Sequence, residues 1–163
     1  MMINRRMLPL FLMSAMLGVA CAEDSTGPDP DTELARFVGT WVATSFVLAN
    51  LSNLSQEIDE IALGGAFTLT VSSDGRFTTD EVVPTDRVPR GMESGTIRIT
   101  SGTTLDLTFE VSGGSGQTIT ISVLYQFSDS DRTLTLVTHG DDADFNGDGK
   151  SEGARRTLAL VKS

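Results

Sequence analysis

The stretch of this chain with the most specific chemistry is Gly140 to Gly153, GDDADFNGDGKSEG. Oxygen-bearing side chains stand there at alternate positions, Asp144, Asn146 and Asp148, followed by Gly149 and then by Glu152. Alternate oxygens around a glycine turn are the hard donors that Ca²⁺ needs, and the Lys150 carbonyl would add one more. The same residues also make an ordinary solvated acidic turn, in which the glycines simply permit positive φ. Both readings stand at this level.

Other reactive constellations are thin. The single histidine, His139, lies beside Asp141 and Asp142, but no Gly-x-Ser-x-Gly turn accompanies it. One histidine does not supply the nitrogen or sulfur set of a zinc site. Asp80, Glu81 and Asp86 read as a solvated face rather than as a carboxylate pair for glycoside chemistry. The sequence therefore predicts no enzyme and no catalytic residue. The acidic loop resembles the first half of an EF-hand loop, departing from it where the bidentate Glu should stand, because the twelfth position from Asp144 is Arg155. No flanking helices are apparent, so the resemblance implies a weak Ca²⁺ loop between two strands.

Those strands are read from a period of two. Phe67 to Val71, Leu105 to Val111 and Ile119 to Phe127 alternate apolar with polar residues, the pattern of half-buried antiparallel strands. Weaker members are Phe77 to Glu81, Thr96 to Thr100, Thr133 to Val137 and Arg156 to Lys162, and Val38 to Leu48 opens the series. That makes about eight strands. Short turn-like links, Ser72 to Gly75, Ser101-Gly102 and Ser128 to Asp131, alternate with longer ones, Ala49 to Gly64, Val82 to Glu93, Ser112 to Gly116 and His139 to Gly153. In an up-and-down sheet the short links share one end and the long links the other. The expected fold is all-β: an antiparallel up-and-down barrel of about eight strands, with a β-sandwich as the alternative. Within Ala49 to Gly64, Leu51, Leu54, Ile58 and Ile61 recur at helical spacing, which predicts a short amphipathic helix across the mouth, either a lid or a plug.

Gly39-Thr40-Trp41 on the first strand, the meander of strands and a basic residue ending the last resemble the lipocalins, more closely the lipocalin-like domains of bacterial lipoproteins. The resemblance implies that Trp41 closes the barrel floor beside Gly39. It also implies that Lys162, where the family usually has Arg, packs over the Trp as a cation-π pair. It implies further a barrel that binds a small apolar or amphipathic molecule without catalysis. On strand parity the interior is lined by Phe67, Leu69, Phe77, Ile97, Ile99, Leu107, Phe109, Ile121, Val123, Tyr125 and Leu136. Arg156 points inward near the mouth, to meet a ligand carboxylate or to pair with Asp141, Asp142 or Asp144. Arg87 and Arg90 stand on a mouth link. The alternative is a filled barrel whose loops, stiffened by Ca²⁺, bind a protein or glycan.

The N-terminus gives an address. Met1 to Ala20 carries Arg5 and Arg6 and then an apolar run from Met7, the form of a secretory signal. Leu17-Gly18-Val19-Ala20-Cys21 resembles the lipobox of bacterial lipoproteins, which would make Cys21 a lipidated N-terminus and tie the protein to a membrane. Cleavage after Ala22 is the competing reading. By resemblance to enterobacterial sorting, Ala22 after the cysteine favours the outer membrane. The expected organisation is a signal over residues 1–20, the lipidated Cys and a flexible acidic linker over 21–33, and the barrel over 34–163. The expected oligomeric state is a monomer. With one cysteine, no disulfide forms within the chain. The net charge of -10 sets nucleic acid aside, since binding there depends on basic groups neutralising phosphates.

Overall fold

Alternating strands need partners for both edges, and in this chain they find them by closing on themselves. The computed structural model describes residues 29–84, 91–110 and 117–163. Helix α1 (Pro30–Phe37) leads into β1 (Gly39–Asn50), the short β2 (Glu57–Asp59), β3 (Ala66–Val71) and β4 (Arg76–Val82). The chain continues through β5 (Gly91–Ser101), β6 (Thr104–Glu110), β7 (Thr118–Ser128), β8 (Thr133–Ala143) and β9 (Glu152–Lys162). From β3 to β9 each strand pairs antiparallel with the next. β9 then pairs back onto β1, from Trp41 opposite Lys162 to Asn50 opposite Ala154. The barrel is closed, which distinguishes it from a sandwich and removes the exposed edges. β1 is shared along its length: Gly39–Val42 pair with β3, and Val47–Ala49 pair with β2.

Two β-bulges reset which side chains face inward. In β1 the pairing with β9 skips from Ala43 to Ser45, so Trp41 is inward below the bulge and Phe46 and Leu48 are inward above it. In β8 the pairing skips from His139 to Asp141, with Gly140 between them at φ 102°. An extra residue of this kind shifts the phase of everything beyond it.

The helix is not where the spacing predicts. β1 runs on through Ala49 and Asn50, the stretch from Leu51 to Gly64 forms turns and β2, and Leu51 and Leu54 are half exposed. Asn side chains win there: Asn50 Oδ1 accepts from Ser52 N at 2.8 Å and Asn53 Oδ1 accepts from Ser55 N at 3.3 Å, tandem local turns that compete with helix. Ile58 lies opposite Leu48 in the β1–β2 pairing. The helix stands instead before β1, beginning inside the expected linker. Asp29 caps it by accepting from Asp31 N, Pro30 occupies the first turn, Asp31 and Glu33 sit at the positive end and Arg36 at the negative end. It lies at the end of the short links, opposite the mouth, and closes the floor with Phe37, which is fully buried.

Candidate functional site

The interior divides into a filled lower half and a hollow upper half. In the lower half Phe37 meets Tyr125 and Phe127 edge to face, at centroid distances of 5.0 and 4.8 Å. Trp41 is fully buried and its Nε1 donates to the Phe37 carbonyl at 2.7 Å. Lys162 Nζ lies 5.0 Å from the Trp41 ring centroid and donates to the Arg36 carbonyl. Gly39, at φ 130°, gives Lys162 room, since a Cβ there would sit 2.9 Å from Lys162 Cε. Gly39, Trp41 and Lys162 thus meet at the floor. Arg36 joins the helix to the β7–β8 link by a two-pronged contact with Asp131, and that guanidinium holds the Asp131 carboxyl below its usual range.

Tyr125 belongs to this filled half. Its hydroxyl donates to the Ser101 carbonyl at 3.1 Å and lies 3.3 Å from Glu33 Oε2. Burial first, and the Glu33 charge second, push the phenol above its ordinary value of 10.0. A raised pKa means that this group's contribution to stability is present below about pH 10 and is lost as the pH rises through the folded value. Tyr125 is the single tyrosine, so ultraviolet titration reads it alone. The native protein should ionise at distinctly higher pH than the urea-unfolded chain, and coincident curves would contradict the burial of the ring.

Above this plug lies a cavity of about 250 Å³. Phe67, Leu69, Leu107, Phe109, Ile121, Val123 and Leu136 line it, as strand parity places them, together with Leu158 and Ile119. Phe77, Ile97, Ile99 and Tyr125 do not line it: they pack in the lower half, Phe77 edge to face with Phe109 at 5.1 Å. The rest of the wall is polar, contributed by Thr79, Glu81, Glu93, Thr138, Asp141 and Arg156, with His139 and Gly140 at its margin.

Arg156 organises that polar side. Its Nη2 donates to Asp141 Oδ1 at 2.8 Å, its Nη1 lies 3.5 Å from Glu81 Oε2, and the guanidinium sits 4.7 Å from the Phe46 ring centroid. Of the three acidic partners expected, Asp141 alone is engaged. Asp142 is exposed, and Asp144 is held by its own loop. The cause is the Gly140 bulge, since continuing the phase of Leu134 and Leu136 would have turned Gly140 and Asp142 inward. Thr138 Oγ1 donates to the second Asp141 oxygen at 3.2 Å. Glu81, expected on a solvated face, is instead buried and joins the site, because it shares phase with Phe77 and Thr79, all buried on β4.

The acidic loop is ordered by its own amides. Asp144 accepts from Gly147 N (2.7 Å), Asp148 N (3.2 Å) and Gly149 N (2.8 Å), and Gly147 and Gly149 both have positive φ. Asn146 Oδ1 accepts from Asp148 N, Asp148 Oδ1 accepts from Lys150 N, and Glu152 accepts from Phe145 N and Asn146 Nδ2. The Gly149 amide foremost holds the Asp144 carboxyl below its usual range. Among the described residues no three His, Cys, Asp or Glu side chains group as a metal site. Cys21, Asp86, Arg87 and Arg90 lie outside the described residues.

No protein-family model matches the chain, and no curated protein matches it. Among solved structures, insecticyanin from the tobacco hornworm Manduca sexta matches at a TM-score of 0.46 and 18% identity, over 84% of this chain and 67% of that one. The architecture expected from the lipocalin resemblance is present in this chain: a closed up-and-down barrel with a cation over the tryptophan of its first strand.

Proposed function

We propose that the protein is a non-catalytic carrier that holds a small apolar or amphipathic molecule in the upper half of its barrel. The observation that carries this reading is the cavity of about 250 Å³, open at one end and walled mainly by strand-borne apolar side chains. The mechanism is burial of ligand surface. About 200 Å² of apolar area removed from water contributes roughly 5 kcal/mol, from which the cost of association is subtracted. Affinity of about millimolar order or weaker is the expectation. Native mass spectrometry of protein purified from its own cells should show a small adduct that is lost on unfolding. A bare mass in every preparation, with no rise in Tm across a set of small apolar compounds, would defeat the proposal.

The address is proposed from residues 1–28: export by the Met1–Ala20 signal, a lipid anchor on Cys21 and residence at the cell envelope, with the outer membrane favoured. Cys21→Ser should move the protein from the membrane fraction to the soluble one. Unchanged membrane partition would refute the anchor.

We also propose that the acidic loop binds Ca²⁺ through Asp144, Asn146, Asp148, Glu152 and the Lys150 carbonyl. What supports this is the donor set and the positive-φ glycines that wrap it. Ca²⁺ should raise the Tm at millimolar concentration and add 40 Da in native spectra, reversed by chelation, and Asp144→Asn should abolish both. No shift in either readout would leave a self-bonded acidic turn.

A further inference from the structure

Resting on the carrier reading above, the charges in the cavity wall specify a ligand class. Among the described residues Arg156 supplies the wall's guanidinium, and it is already committed to Asp141 and Glu81 while its face covers Phe46. It therefore has little to offer a ligand carboxylate. Glu93 is different. It lines the cavity, half-buried on β5 opposite Thr79 of β4, and among the described residues it makes no hydrogen bond or ion pair.

A neutral ligand filling the cavity would strip water from Glu93 without replacing it, and an anionic one would add repulsion to that cost. An ammonium group would meet a carboxylate through a charge-assisted hydrogen bond. The rings of Phe67 and Phe109 also line the cavity, and aromatic faces attract a cation while packing against an apolar body. The chain's net charge of -10 adds a field that draws cations to the mouth. We propose that the cavity takes a small apolar amine, its ammonium on Glu93 and its body against Phe67, Leu107, Phe109 and Ile121. At a water-sized share of ~30 Å³ per group, the volume suits roughly eight to ten non-hydrogen atoms.

The test uses three probes of matched body and different charge: 2-phenylethylamine, 2-phenylethanol and 3-phenylpropanoate, titrated calorimetrically into the full chain. The amine should bind about tenfold tighter than the alcohol, with the acid weakest. In Glu93→Gln the amine-to-alcohol ratio should fall to about one, with far-ultraviolet circular dichroism reporting that the barrel is intact. If the alcohol or the acid binds as well as the amine, or if the preference survives Glu93→Gln, the amine proposal is overturned and the carrier reading stands. If none of the three binds, and ethylbenzene does not raise the Tm, both fall.

Discussion

Trp41→Ala should destabilise the barrel by about 3 to 5 kcal/mol, the cost of deleting a large, fully buried side chain. The ring supports three elements at once: it packs against Phe127 at 5.8 Å, carries Lys162 on its face, and donates from Nε1 to the carbonyl that ends α1. Truncation leaves a cavity at the floor and an unsatisfied carbonyl, and it loosens the helix from β1. Chemical denaturation followed by circular dichroism measures the loss, since the variant has no tryptophan to follow. Trp41→Phe, which keeps most of the volume but loses the hydrogen bond, should cost about 1 to 2 kcal/mol. A loss near zero for the alanine variant would mean that the floor is not packed as described.

The second large effect is expected at the opposite end. Arg156→Met keeps the inward apolar stem and removes the guanidinium that separates two carboxylates. The side chains of Arg156, Glu81 and Asp141 are only 13, 5 and 16% exposed, so the contrast with surface pairs is sharp. Arg76 and Glu110, more than half exposed, should contribute no more than about 1 kcal/mol. Removing one partner from a buried cluster costs about 3 kcal/mol, because the charges left behind are poorly solvated. Adding Asp141→Asn to Arg156→Met should restore part of that loss, and the double-mutant cycle isolates the pairwise coupling. Strict additivity of the two substitutions would show that the pair is not coupled.

How much of this was readable beforehand follows from what kind of information each feature needs. The strands were legible, because alternation such as Phe67-Thr-Leu69-Thr-Val71 encodes a half-buried strand residue by residue, but closure was not, since alternation fits a sandwich equally and the β1–β9 pairing decides between them. The inward turn of Arg156 followed from its phase with Leu158 and Leu160. The bulges at Thr44 and Gly140 were not legible from period alone, since each is a one-residue slip set by the partner strand, and so the choice of Asp141 over Asp142 stayed open. The helix was misplaced for a reason of precedence. The expected flexible linker over 21–33 overlaps the start of α1, where an Asp cap at Asp29 followed by Pro30 in the first turn is equally a helix start. Conversely, the helical spacing of Leu51 to Ile61 yielded to local Asn turns. The partition of the barrel into plug and cavity needed the position of Phe37, which no strand pattern contains.

The plug also gives the molecule a direction. Because α1 crosses the closed end, Asp29 stands at that pole, with the cavity opening at the other. The start of the described chain and the entrance therefore lie at opposite poles, and a ligand reaches the cavity without passing α1.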